Sequence, residues 1–285
     1  GRPPPPPRRA GGGAPRPPPA PPPPRRRPPP ARAGGPPADG PVVLVRAGAN
    51  LGFAGGNNIG LRYALARGDG DYVWLLNNDT AVEPRALAAM VARCQGHPRP
   101  AACGSTLVFY HAPQRVQALA GGPYNPWTGI AGTTLGRGMD LADVPAVAAD
   151  LAPRLAYLSG ASCLMPRDFL TTVGLMTEDY FLYFEEIDWA LRARGRYDWL
   201  WAPEALVYHK EGGSIGSPSL DRPSSALSDF YIFRNKLVVV KRFFPWALPI
   251  AYGATAAQAL NRLRRGQRDK AWLILQVMLG KRRFP

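Results

Sequence analysis

Tyr72-Val73-Trp74-Leu75-Leu76 is an unbroken apolar run of strand length, and Asn77-Asn78-Asp79-Thr80 stops it with four polar residues suited to a turn. A run without alternation is what a strand covered on both faces shows. Upstream, Val42-Val43-Leu44-Val45 is a second short β-branched run and reads as another buried strand. Between the two lie a glycine-rich stretch at 50–58, read as a turn, and a helical pattern over about 57–67 that ends at Gly68. Downstream, Glu83-Pro84 opens a helix to about Gln95, with proline in the first turn where its missing N–H is harmless. A third strand-like run spans Ala101 to Tyr110. Strand, helix, strand, helix, strand predicts an α/β domain with a mostly parallel central sheet flanked by helices.

Farther along, 111–156 is rich in Gly, Pro and Ala and reads as an irregular insertion. Tyr157 to Met165 is a strand with a small-residue break, and a helix from Pro166 ends at Gly174. Tyr180 to Arg194 has a helical pattern rich in aromatics that carries Glu185, Glu186 and Asp188, and two short strands then lead to His209. Phe230 to Phe244 reads as a helix. Residues 243–260 lack charge but contain Pro245, Pro249 and Gly253, so this run falls short of the ~20 apolar residues of a membrane span. Basic residues (Arg262, Arg264, Arg265, Arg268, Lys270) and the ending Lys281-Arg282-Arg283 bracket the apolar run 271–279. Apolar segments with basic flanks suit a helix lying on an anionic membrane surface; a core helix pair with solvated basic ends is the alternative.

The chain has 285 residues and a formal charge of +15, distributed unevenly. Residues 1–40 hold 18 Pro, 8 Arg, 7 Gly, 6 Ala and Asp39 alone, a composition that cannot bury a core and predicts a disordered or polyproline tail. Its Pro-Arg runs suit an SH3-type groove or an anionic partner, while an inert or mistranslated GC-rich stretch accounts for the same letters. With no apolar segment it does not read as a secretory signal. The remaining residues carry a net +8, only moderately basic, and no nucleic-acid partner is expected. Three cysteines without a C-x-x-C pair argue against a disulfide framework or a structural zinc cluster and fit a reducing compartment. The expected organisation is a tail over 1–40, a catalytic domain over 41–229 and a helical, membrane-associated segment over 230–285.

Candidate chemistry lies where the strands end. Open α/β sheets bind ligands at the carboxyl ends of their strands, so Asp79 is well placed for a divalent ion and phosphates, though Asn-Asn-Asp is also an ordinary turn. Three carboxylates set among Tyr180-Phe181-Leu182-Tyr183-Phe184 and Trp189 are less ordinary, because apolar surroundings raise proton affinity and suit a general base. Pairing with Arg192 or Arg194 at helical spacing is the structural alternative. His209, followed by Gly212-Gly213-Ser214, is a nitrogen donor that would complete an oxygen-rich metal site, or a structural histidine.

Taken in order, N-L-G-F-A-G-G-N-N (50–58), L-L-N-N-D-T (75–80), L-S-G-A-S-C-L-M (158–165), F-L-Y-F-E-E-I-D-W-A-L-R (181–192), V-Y-H-K-E-G-G-S (207–214) and F-Y-I-F-R-N-K (230–236) resemble the family-two inverting glycosyltransferases of the GT-A, nucleotide-diphospho-sugar transferase fold. Within that family the pattern looks like the branch of bacterial rhamnosyltransferase-like enzymes that build cell-surface polysaccharide. The resemblance implies a donor such as dTDP-rhamnose or another dTDP- or UDP-sugar, a lipid-linked or polysaccharide acceptor, and work at the cytoplasmic face of the bacterial membrane, with a C-terminal helical extension.

By resemblance, Asp79, with Asn77 and Asn78, corresponds to the D-x-D-type element that holds Mg2+ or Mn2+ on the donor diphosphate. Glu185-Glu186 falls on the family's acidic pair, with Glu186 at the base, and Glu185 and Asp188 as further candidates. His209 falls where some relatives place a metal ligand. Asn50, Gly52 and Asn57 lie in the stretch against the nucleotide, Ser159, Gly160 and Ala161 border the sugar pocket, and Arg234-Asn235 matches an R-N pair beyond the core. One departure stands out. Relatives begin with a strand and an Asn/Asp-x-Ser turn that build the nucleoside pocket, and here that place holds Pro-Arg-Gly-Ala sequence. The chain is therefore expected to lack the pocket floor and a strand beside 42–45. A catalytically impaired remnant, or a basic Pro/Arg-rich binding protein, are the alternatives.

Overall fold

The structure, a computed structural model, describes residues 42–132, 134–210 and 224–284. The expected tail over 1–40 and Gly212-Gly213-Ser214 lie outside them. Residues 1–45 and 46–285 form separate units. Of the first, Val42 to Val45 are described, and they form no strand: Val42 and Leu44 are 82% and 84% exposed. Apolar letters alone do not make a strand, because its N–H and C=O groups need a neighbour, and no described strand pairs with these residues.

In the second unit, α1 (Gly52–Arg67) begins at Gly52, five residues earlier than its sequence suggests, and ends where Gly68 turns left-handed. There follow β1 (Tyr72–Leu76), β2 (Thr80–Val82), α2 (Ala86–Gln95), β3 (Pro100–Phe109), β4 (Ala112–Leu119), β5 (Gly121–Gly122) and α3 (Val144–Leu151). The stretch expected to be irregular thus contains two strands and a helix. Then come β6 (Tyr157–Leu158), β7 (Ser162–Pro166), α4 (Arg167–Val173), α5 (Glu185–Ala193) and one continuous β8 (Asp198–His209) in place of the two short strands the sequence suggests. Three C-terminal helices finish the chain: α6 (Ala226–Phe243), α7 (Leu248–Arg264) and α8 (Arg268–Met278).

The main sheet has the order β1-β7-β3-β8-β2, with β4 also paired to β3. It is mixed: β3 and β8 run parallel, and every other pairing is antiparallel. The expected mostly parallel sheet is therefore realised at one pair only. The reason is topological, since β7 returns from the long insertion and slots between β1 and β3, antiparallel to both.

Alternation along the strands sorts the core into two faces. Cys103, Leu164 and Leu200 turn toward Met90 and Cys94 of α2, while Ala102, Cys163, Met165 and Trp201 turn toward Phe169 and Trp189 of α4 and α5. Trp189 is 2% exposed, and truncating so large a buried ring to alanine costs about 3–5 kcal/mol. All three cysteines are buried free thiols.

The uncharged run at 243–260 is cut by its prolines. Phe244 leaves the helical region, Pro245–Ala247 makes one tight turn, and α7 restarts with Pro249 in its first turn. Among the described residues no helix is long and apolar enough to cross a membrane. Phe230, Phe233, Leu237 and Val240 of α6 pack with Ala251, Ala259, Leu273 and Ile274 of α7 and α8 in a core of their own.

Candidate active site

The turn after β1 brings Asp79 to His209, because β2 starts at Thr80 and Thr80 is paired with His209 of β8. His209 Nε2 lies 3.1 Å from Asp79 Oδ1 and 3.4 Å from Asn77 Nδ2, and Nδ1 lies 3.0 Å from Gln117 Oε1 on β4. With Gln117 accepting from Nδ1–H, the Nε2 lone pair faces the Asp79 carboxylate. A shared proton or a cation satisfies such a pair, and a second partner that fixes the tautomer is the usual companion of a metal-bound imidazole. Among the described residues no group of three or more His, Cys, Asp or Glu side chains gathers to hold a metal. Asp79 and His209 are two donors of the kind that could hold Mg2+ or Mn2+, ions usually completed by substrate phosphates and water.

From this corner a short path leads to the acidic pair. Asn77 N–H donates to Ala161 O at 3.0 Å, and the preceding Gly160 N–H donates to Glu186 Oε1 at 3.2 Å. Ser159 Oγ accepts from Ala161 N–H and so stiffens the three-residue loop. Gly160 is needed for the close approach: a β-carbon there would collide with Phe53 Cζ of α1 and lie 2.7 Å from Glu186 Oε1. Behind Glu186 is a cavity of about 10 Å3, walled by Leu158, Cys163, Met176, Trp189 and Trp199.

Glu185 and Glu186 open α5, where the helix dipole favours negative charge. The segment before them is a turn, not the helix its aromatic pattern predicts: Phe181, Tyr183 and Phe184 have φ of 65°, 64° and 74°. Left-handed backbone at a non-glycine residue costs about 1–3 kcal/mol and persists only when its surroundings hold it. Here Phe53 N–H donates to Phe181 O at 2.7 Å, and the Asn235 amide donates to the carbonyls of Tyr180, Leu182 and Tyr183. Gly52, itself at φ 72°, lets α1 approach, since a β-carbon there would collide with Phe181 O.

Burial pushes both carboxyls up, Glu185 well above the ordinary carboxylate range with further help from the negative Glu186. Glu185 is 1% exposed and its Oε2 has no hydrogen-bond partner, whereas Glu186 is half-buried and faces the Gly160 loop. Of the two carboxyls, Glu186 is therefore the one open toward the loop. Asp188 does not join it: fully buried, it accepts from Thr177, Tyr180, Arg192 and Arg242 at 2.7–2.9 Å. Four donors occupy its lone pairs and make it an anchor between α5 and α6.

Residues 32–218 match the family model described as glycosyltransferase like family 2, more than half of the chain. The chain belongs to glycosyltransferase family 2. This glycosyltransferase is 25% identical over 264 residues to an N-acetylglucosaminyl-diphospho-decaprenol L-rhamnosyltransferase of Mycobacterium tuberculosis, covering 82% of the chain and 80% of the relative. It is 27% identical over 150 residues to a low-salt glycan biosynthesis hexosyltransferase of Haloferax volcanii, covering 53% of the chain and 45% of that relative. The mixed α/β architecture agrees with the GT-A fold.

Within the glycosyltransferase, the 50–58 stretch is not an open glycine loop. Asn50 Oδ1 accepts from Gly52 N–H, and Asn57 lies inside α1 with its amide on Phe53 O. The first two N–H groups of α1 are thus already taken, that of Gly52 by Asn50 and that of Phe53 by Phe181 O. Asn78 is exposed at the tip of the β1–β2 turn. Two residues that the sequence does not announce support the site, Gln117 behind His209 and buried Asn58, which bonds both backbone groups of Met176 and the Glu178 carboxylate; Asn235, half of the Arg-Asn pair, stands behind the turn. Alternation through Val116-Gln117-Ala118-Leu119 is the one signal available for Gln117.

Proposed function

We propose that this glycosyltransferase moves a sugar, rhamnose in the reading favoured by its relatives, from a dTDP- or UDP-linked donor to a hydroxyl of a lipid-linked or polysaccharide acceptor, with inversion. Glu186 takes the acceptor proton as the acceptor oxygen bonds to the anomeric carbon; the bond from that carbon to the diphosphate oxygen breaks, and the nucleoside diphosphate leaves with the electron pair. Asp79 and His209 would hold Mg2+ or Mn2+, which neutralises charge on the leaving diphosphate. Asn77 fixes the turn that carries Asp79, and Ser159, Gly160 and Ala161 border the sugar. Asn50 and Gly52 shape the start of α1 on the nucleotide side.

One observation carries this reading: Asn77 and Glu186 are bonded to adjacent residues of one loop, which links the proposed cation corner to the proposed base. The C-terminal layer supports an acceptor on a membrane surface. Trp246, Ile250, Leu260 and Leu263 are 47–56% exposed, and the charges around them are almost all basic. This fits a peripheral protein at the inner face of a bacterial membrane. Calorimetry with a panel of nucleotide sugars plus Mn2+, followed by transfer assays of Asp79→Ala and Glu186→Gln, tests the proposal. Metal-dependent binding of one donor and loss of transfer in both variants are expected, and full transfer in both would overturn it.

A further inference from the structure

We propose that Asn235 is a positioning residue for the catalytic base, an inference that rests on Glu186 serving as that base. Asn235 lies on α6, is 0% exposed and touches no reacting group. Its Nδ2 has two hydrogens and three acceptors, the carbonyls of Tyr180, Leu182 and Tyr183 at 3.0, 2.7 and 2.9 Å. The amide is held the right way round, because Arg234 donates to Asn235 Oδ1 and also to Asp179 O. One side chain thus gathers three carbonyls from four consecutive residues. Extended backbone would not converge them so, and this turn does because Phe181, Tyr183 and Phe184 sit in the left-handed region.

The turn matters because it launches the helix that carries the base. Phe184 passes directly into Glu185 and Glu186, so the φ at Phe184 sets the direction from which α5 starts and where Glu186 meets Gly160. Further contacts from α6 back the same region, Tyr183 OH with Ser228 Oγ and Arg242 with Asp188. Those two hold a side chain and the helix body. Asn235 instead grips the backbone of the strained turn itself. Without it, three residues would relax toward ordinary φ values and Glu186 would move relative to the loop. A displacement of about 1 Å at a base costs on the order of 100-fold in rate.

The experiment is transfer by the full chain carrying Asn235→Ala or Asn235→Ser, with the folded fraction fixed by thermal melting and rates expressed per folded molecule. For Asn235→Ala, kcat is expected to fall about 10- to 100-fold with the donor KM changed less than about 3-fold. The lower pH limb of kcat should move toward acid, because a loosened turn admits water to Glu186 and burial is the main cause of its raised proton affinity. Asn235→Ser, which keeps one donor, should fall between alanine and wild type, and it stands in if the alanine variant does not fold. A kcat within about 2-fold of wild type with an unchanged pH limb, in whichever variant folds, overturns the inference. If Glu186→Gln is also fully active, the assignment of the base has failed; if that variant is inactive, only the role of Asn235 has.

Discussion

Glu186 Oε1 accepts from the Gly160 backbone at 3.2 Å, and the missing β-carbon of Gly160 is what leaves room for it, since that atom would stand 2.7 Å away. The contact joins the start of α5 to the loop whose next residue is bonded to Asn77. Gly160→Ala should therefore act on catalysis more than on folding. The clash with Glu186 and Phe53 is expected to cost about 1–3 kcal/mol of stability. Transfer should fall on the order of 100-fold because Glu186 is displaced. Paired melting curves and kcat measurements check this, and a proportional loss of folded protein and activity would contradict it.

The proton affinity of Glu186 predicts a pH dependence. A base must be ionised, and burial raises the carboxyl above its ordinary range. The acid limb of kcat/KM is expected at a pH above the ordinary glutamate value near 4.3. Glu186→Asp, one methylene shorter, should keep a limb but lose rate, and Glu186→Gln should lose both. A limb at or below the ordinary value would show that another group is titrating.

How much of this was legible in the letters differs by element. β1 and its polar stop were plain as a strand and a turn, but the strand lies at the sheet edge with only Leu75 fully buried, not covered on both faces as its unbroken apolar run suggests. Its neighbour was not, because the identity of a hydrogen-bond partner is no property of a single segment, and β7 arrives from more than 80 residues downstream. The acidic pair was legible as an oddity among aromatics. The turn before it was not: Phe-Leu-Tyr-Phe satisfies helical spacing, and left-handed φ at non-glycine residues is imposed by tertiary bonds. Asn235 shows only as half of an Arg-Asn pair, and its partners hide for the same reason, since a polar residue on an amphipathic helix is presumed to face water until they are seen.

Lys236 offers a test of stability against pH. It is 2% exposed, its ammonium reaches Gln258 and the Phe233 ring rather than an anion, and burial lowers its pKa from 10.5 to about 8. The unfolded chain therefore binds more protons between pH 8 and 10.5, so this group makes stability rise with pH across that window and imposes its full penalty below it. The penalty at pH 7 is about 3 kcal/mol. Lys236→Met should gain most over wild type at pH 7, and the gain should shrink toward pH 10.5. Denaturant midpoints at pH 7, 8.5 and 10 measure it, and a gain independent of pH would show that burial does not lower the pKa of this amine.

The C-terminal layer makes the last prediction. Residues 230–285 contain twelve Lys and Arg against the single acid Asp269, so a second copy docking through this face would meet charge of its own sign, whereas an anionic lipid surface would not. Ile250, Leu260 and Leu263 lie on α7, about half exposed, and the same helix ends in Arg262 and Arg264 with Arg265 just beyond. Co-sedimentation with vesicles containing phosphatidylglycerol should exceed that with phosphatidylcholine alone and weaken at high salt. Replacing Arg264 and Arg265 by glutamine should remove much of the electrostatic share, at about 1 kcal/mol per cation near the surface. Changing Ile250 and Leu260 to serine should remove the apolar share and leave donor binding intact. Equal binding to both vesicle types would mean that the basic flanks meet something other than lipid.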